Sequence, residues 1–393
     1  MKKRTRSKST VKASAKTDSH GHPGNPISKP AGTRKFKIAV VAFSVLLFVT
    51  LDLVCGAYIG GNQQRSFRCS HPYYHHGLRA NQDQFTHWGG HRYRMLTNSL
   101  GFRDHHIRTV PLQSETPRVV LIGDSMIEGL GVAYEKTVAG QLEKRWSEVG
   151  VKVLNAGVVS YSPHLYYLRV RHLIEELGLQ FSHLVVFIDI SDIQDETFYR
   201  AFQASGGAGQ EHGWWRRHSL MARVIDQFVS PQPRTNNEFR TDAEVNVWME
   251  GTDAYQAGTD PEIGRWEWTI SDDIYEQWGK QGLALARGHM IELNELCRQH
   301  QIGLTVVVYP SPVQIFAKDK ESRQVLFWRD FCDEFDLTLV DLWPTFFDDA
   351  YAGPGEIYKR FYLFSDMHWN ELGNQLVAEK VDEAIGPIVT AAR

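Results

Sequence analysis

Five short runs of β-branched and aliphatic residues recur along this chain, each followed by a longer stretch of helical periodicity, and this alternation restricts the fold more than any other feature. The runs are Arg118–Ile122, Lys152–Asn155, Leu184–Ile190, Leu304–Tyr309 and Thr338–Asp341. The helical stretches lie around Glu135–Val149, Pro163–Leu179, Ser271–Gln299, Gln314–Phe335 and Asn370–Ile385. Strands separated by connections of this length pair in parallel through crossover helices. The expected architecture is therefore α/β: a three-layer α/β/α sandwich around an open, mostly parallel five-stranded sheet. No internal repeat interrupts it.

The amino-terminal region belongs to a different regime. Residues 1–37 carry eleven Lys and Arg against a single acid, Asp18, among Ser, Thr, Gly and Pro, a composition expected to be disordered. From Ile38 to Ile59 the sequence is apolar except for Asp52, long enough for a membrane helix. A cleaved signal peptide is the competing reading, but the run lacks a convincing small-x-small site near its end, and Val54 before Cys55 is larger than a lipid-attachment site usually allows. The basic leader then orients the helix with the amino terminus inside. Everything after Ile59 is expected outside the cytoplasm, the arrangement of a single-pass inner-membrane protein with a periplasmic domain. That job explains the basic charge without a nucleic-acid partner.

Residues 60–117 form a His- and Tyr-rich preamble ending in Thr97–Asp104, and 118–393 form the α/β domain, with an insertion at 197–270. The insertion and the helix start behind it hold six of the eleven tryptophans: Trp214, Trp215, Trp248, Trp266, Trp268 and Trp278. An aromatic core for a small lid is the plainer reading of them, and a sugar-stacking platform the sharper one. Cys297 and Cys332 sit on helices that could be neighbours. A disulfide is conceivable in an oxidising compartment, and buried thiols are the commoner outcome. His71, His75, His76, His87, His91, His105 and His106 crowd the preamble without the spacing of a zinc site, so packing is expected there. Asn98 and Arg103 read either as pocket residues or as a structural turn.

Chemistry concentrates where the first strand ends. Gly123-Asp124-Ser125-Met126 follows Val119–Ile122 directly, and in open α/β sheets reactive groups gather at the carboxyl ends of strands. Asp366 and His368 stand in a loop before the final helix, which can fold back over that edge and give the serine a base and the base an orienting acid. The second strand ends in Asn155-Ala156-Gly157 and the third in Ser191-Asp192, so these are candidates for oxyanion donors and pocket residues.

These blocks, in this order, resemble the SGNH, or GDSL-like, hydrolase superfamily over roughly Thr97–Ile385. The preamble's "NSLGFRD" and "VVYPSP" at Val307–Pro312 are similar to membrane-anchored members. The resemblance implies an SGNH-like, flavodoxin-like sandwich. It also implies Ser125 as nucleophile, His368 as base, Asp366 as orienting acid, and Ser125 with Gly157 as oxyanion donors. The family's third block carries an asparagine donor where this chain has Ser191, and Asp124, Asn155, Asp192 and Trp369 are expected to border the pocket. Asp-x-His-Trp spacing, in place of Asp-x-x-His, is similar to relatives that O-acetylate extracellular polysaccharides.

The reading is a membrane-anchored serine esterase acting on acyl esters of a glycan or on a small ester, with no metal or organic cofactor. The alternatives are a polysaccharide O-acetyltransferase using the same triad, and a catalytically weak glycan-binding or scaffold protein of a polysaccharide-export assembly.

Overall fold

The computed structural model describes residues 32–64, 67–88, 90–204, 219–222, 225, 266–348, 350–364 and 366–391. Helix α1 (Gly32–Gln64) contains a 22-residue segment, Lys35–Gly56, apolar and long enough to cross a membrane and unburied by the rest of the chain. Two antiparallel hairpins follow: β1 (Arg68–His71) with β2 (His75–Leu78), and β3 (Asp83–Trp88) with β4 (His91–Leu96). The preamble is thus folded, and Tyr74, Leu78, Tyr93 and Met95 bury themselves in the main core.

The α/β domain begins with β5 (Arg118–Ile122), the short helix α2 (Ser125–Glu128), α3 (Val138–Trp146), β6 (Lys152–Asn155), α4 (Pro163–Arg171), β7 (His183–Ile188) and α5 (Asp192–Ala204). It continues through α6 (Lys280–Gln299), β8 (Gly303–Val308), α7 (Pro312–Ala317), α8 (Arg323–Phe335) and β9 (Thr338–Asp341). It closes with α9 (Trp343–Phe346), α10 (Pro354–Phe361) and α11 (Glu371–Ala391). The sheet has five strands, all parallel, in the order β6-β5-β7-β8-β9.

Successive side chains on a strand point to opposite faces, and the core divides accordingly. Val120, Ile122, Val186 and Val306 pack with Leu165 of α4, Met290 of α6 and Trp328 of α8. Val119, Leu121, Val185 and Val307 pack with Leu142 of α3 and Val377 and Val381 of α11. This is the expected α/β/α sandwich. Every β5 residue is buried because helices cover both faces, which is why its sequence is a continuous apolar run.

Local chemistry adjusts the expected boundaries. The helix foreseen over Gln314–Phe335 is two helices, because Lys318 takes a left-handed conformation (φ 55°) that ends α7 before Ser322 precedes α8. The third strand stops at Ile188, two residues early, so Asp189 and Ile190 belong to the loop at the sheet's edge. Thr137 opens α3 by accepting the amide of Gly140 at 3.1 Å, the kind of cap worth about 1 kcal/mol. Cys297 and Cys332 are both buried free thiols, and burial pushes each up to about 12.

Of the insertion's tryptophans, Trp214, Trp215 and Trp248 lie outside the described residues. Trp266 and Trp268 are core side chains, and the Trp268 indole donates to the Ile190 carbonyl at 2.9 Å. Trp278 packs, partly buried, against the same core.

Candidate active site

The turn after β5 is fixed by close packing. A Cβ on Gly123 would meet Ile127 Cγ1 at 2.7 Å and Phe187 Cβ at 3.1 Å, so only glycine lets α2 start there. Asp124 caps α2 by accepting the Met126 amide at 2.9 Å. Ser125 is then the first residue of the helix, and its amide has no intrahelical acceptor.

Preamble residues brace this turn from behind. The buried Arg103 guanidinium donates to the carbonyls of Glu128 (2.6 Å), Gly129 and Val132, and Arg68 pairs with the fully buried Glu128 at 2.7 Å. Glu128 also accepts the Val159 amide at 2.9 Å. Asn98 turns its own loop, accepting from Leu100 and Phe102 while donating to Asp104. Arg103 and Asn98 are therefore structural supports.

The loop before α11 returns to Ser125. Asp366 is held by Tyr358, whose hydroxyl donates to the Asp366 carbonyl at 2.8 Å and accepts its amide at 2.9 Å. His368 Nδ1 lies 2.5 Å from Asp366 Oδ1, and its Nε2 lies 2.8 Å from Ser125 Oγ. Asp366 and His368 are each 4 % exposed, whereas Ser125 is half-buried, so solvent reaches the hydroxyl end of this chain of contacts.

Burial alone would push the His368 imidazole down. The adjacent Asp366 charge and hydrogen bond outweigh it, helped by Asp124 and Asp189, and hold the pKa above the usual value of 6.5. Burial would likewise raise Asp366, but His368 holds it below the ordinary carboxylate range. The pair thus polarises in the sense that makes Nε2 an acceptor for the Ser125 proton.

The remaining expected site residues occupy less open positions. The Gly157 amide donates to Asn155 Oδ1 at 3.0 Å, and Asn155 Nδ2 donates to the Ile127 carbonyl at 2.8 Å. A Cβ on Gly157 would sit 2.6 Å from the Glu128 nitrogen, so glycine is required by the approach of two backbones. The Ser191 hydroxyl donates to Asp189 Oδ2 at 2.5 Å, which commits it to its neighbour. Trp369 is buried beneath the loop, edge-on to Tyr309 with ring centroids 4.6 Å apart.

Two features were not foreseen. Asp124, Asp189 and Asp192 place carboxylate oxygens within 4.8 Å of one another, all buried. Burial and the Asp189 charge raise Asp124 to about 7, and burial with Asp124 raises Asp192 well above its ordinary value. Ser125 Oγ lies 3.0 Å from Asp124 Oδ2, so the hydroxyl has two neighbours competing for it. The other feature is Trp88, whose indole nitrogen lies 3.1 Å from His368 Nδ1. It comes from β3, 280 residues away in sequence, and no local motif marks it.

Among the described residues two side-chain groups are close enough to share an ion: the buried aspartates, and Asp104 with His105 and His106. In the second, Asp104 is already engaged by Asn98 at 2.9 Å and Arg108 at 2.8 Å. His71, by contrast, is a packing residue, stacked on Tyr74 with ring centroids 3.6 Å apart.

No protein-family model and no curated protein matches this chain. Several solved structures are similar to it. A GDSL-like lipase from Bacteroides thetaiotaomicron is 11% identical over 71% of this chain and 93% of its own, with a TM-score of 0.36. A lipase/acylhydrolase from Enterococcus faecalis is 11% identical over 70% and 97%, with a TM-score of 0.37. A variant of an acetyl-xylooligosaccharide esterase from Geobacillus is 13% identical over 70% and 97%, with a TM-score of 0.34.

Proposed function

We propose that this protein is a membrane-anchored serine esterase that cleaves acyl esters, in particular acetyl esters of a glycan, on the outer side of the membrane. The observation that carries the reading is the continuous contact Asp366–His368–Ser125, at 2.5 and 2.8 Å. A binding module has no need of a buried acid, an imidazole and a half-exposed serine in that order.

In this reading His368 Nε2 takes the Ser125 proton as Oγ attacks the ester carbonyl. The tetrahedral oxyanion collapses, the alcohol leaves with the proton from His368, and an acyl-enzyme remains. Water, deprotonated by His368, releases the acid and regenerates the serine. The Ser125 amide is the first oxyanion donor, and the Gly157 amide joins it on leaving Asn155. The apolar segment Lys35–Gly56 is the anchor, with the basic leader inside.

The test uses the full chain in detergent micelles with p-nitrophenyl acetate. Release of p-nitrophenol that Ser125→Ala abolishes is expected, and unchanged release in that variant overturns the reading. The Asp366-x-His368-Trp369 spacing favours a second outcome for the same acyl-enzyme, transfer to a sugar hydroxyl. Mass spectrometry of oligosaccharides incubated with an acyl donor separates the two: mass gained supports transfer, and only mass lost supports hydrolysis.

A further inference from the structure

Trp88 ends β3, at the tip of a hairpin that otherwise belongs to the preamble. Its indole N–H is directed at His368 Nδ1 from 3.1 Å, and the two rings meet edge-on at 86° with centroids 5.2 Å apart. The same Nδ1 lies 2.5 Å from Asp366 Oδ1. A neutral imidazole carries one proton, and a carboxylate at that distance draws it to Nδ1. Nε2 then keeps its lone pair toward Ser125, which is the tautomer a base requires.

In that tautomer the Trp88 hydrogen, the positive end of the indole N–H dipole, stands beside Nδ1–H. The conflict deepens when a second proton reaches Nε2, because the whole ring then becomes cationic. The ionisable neighbours that face the imidazole pull the opposite way. Asp366 acts from its own loop, Asp124 from the β5–α2 turn and Asp189 from the end of β7, and all three favour the imidazolium. An imidazolium cannot accept the Ser125 proton.

We propose that Trp88 is a positioning residue whose indole N–H offsets the surrounding carboxylates and keeps His368 neutral, and so competent as a base, at neutral pH. The proposal rests on the assignment of Ser125 and His368 to ester chemistry. Its geometry is independent of which acyl acceptor the enzyme uses.

The decisive variant is Trp88→Phe in the full chain, which keeps a ring against His368 and removes the N–H. The acid limb of kcat/KM on p-nitrophenyl acetate is expected to move up by about half to one pH unit, the scale of a single neutral polar contact, because the N–H dipole that opposes the imidazolium is gone. The alkaline plateau should stay within about twofold, since Ser125, His368 and Asp366 remain in place. Replacement of Trp88 by 3-benzothienylalanine, isosteric but without the N–H, gives the same comparison if the phenylalanine packs poorly. Proton NMR titration of the His368 ring, assigned by the signal lost in His368→Gln, should show the same upward shift without substrate. An unmoved limb with an unmoved titration overturns the proposal, as does a change confined to KM. Because the titration needs no turnover, it still decides the Trp88 contact if Ser125→Ala retains esterase activity and the functional reading falls.

Discussion

The two flanks of Ser125 are built on opposite electrostatic plans. On the Asp366–His368 flank a carboxylate and an imidazole face each other at 2.5 Å, and each moves the other toward the charged form. On the Asp124–Asp189–Asp192 flank three buried carboxyls share one small volume, and the groups that donate to them are neutral: the amides of Met126, Asp189 and Ser191, the hydroxyls of Ser125 and Ser191, and the Tyr166 phenol. Tyr309, whose pKa burial raises with help from these same three acids, is fully buried, with its hydroxyl unpartnered among the described residues. A paired charge gives a proton a direction. Like charges crowded in a buried site instead disfavour ionisation, and here burial and the neighbouring acids hold protons on Asp124 and Asp192.

The largest break in this contrast comes from Asp366→Asn. Loss of the anion that orients His368 is expected to lower the kcat plateau by about 10³–10⁴-fold. The acid limb should also move. In the wild type, activity is expected to fall as pH drops through a His368 pKa held above 6.5, and without the Asp366 charge that limb is expected to shift to lower pH. A plateau unchanged within tenfold would remove the distinction between the two flanks.

Asp124→Asn probes the other flank through stability. A carboxyl raised from 3.8 to about 7 in the fold binds a proton that the unfolded chain has released, so its cost grows as pH rises from about 4 to about 7 and is fully present above that. Asparagine caps a helix as well as aspartate does, so the Met126 contact survives the change. The variant is expected to be more stable than wild type at pH 8, by on the order of a few kcal/mol, and so to melt higher there, with no gain at pH 4. Thermal unfolding at the two pH values checks both signs.

How much of this was legible in sequence differs between the two flanks. The parallel sheet, the turn at Gly123 and the loop carrying Asp366 and His368 all follow from local patterns, since apolar runs, a glycine and a polar segment before a helix each reflect nearby constraints. Asp189 was hidden because Leu184–Ile190 reads as one strand, and only the actual end at Ile188 turns that side chain into the edge. Trp88 was hidden for another reason. On β3 the alternating burial places Gln84, Thr86 and Trp88 inward while Phe85 is 59 % exposed beneath Arg92, so the hydrophobic pattern gives no clean strand signal. The preamble's support of α2 through Arg68 and Arg103 depends on contacts to Glu128, Gly129 and Val132 that no spacing rule encodes.

A smaller effect is expected from Asp189→Asn. Asp189 bears electrostatically on His368 and holds the Ser191 hydroxyl, so its charge opposes an oxyanion forming at Ser125 while occupying a potential donor. The neutral amide should raise kcat by about tenfold, a fraction of what a full oxyanion donor supplies. A fall in rate with unchanged folding would show that the carboxylate assists the reaction.

Ser191→Ala completes the comparison with the smallest change. If the Ser191 hydroxyl were an oxyanion donor, its removal would cost about 10²–10³ in kcat. In the resting geometry that hydroxyl lies on Asp189 at 2.5 Å, and the Ser191 amide reaches the same oxygen at 3.1 Å, so Asp189 keeps one of its two partners when the side chain goes. The expected loss is therefore less than about threefold, well below a donor's contribution. The double variant Asp189→Asn with Ser191→Ala then measures how the two are coupled. If the gain from Asp189→Asn disappears in that background, the gain came from a released hydroxyl. If the gain persists, it came from removing the charge itself.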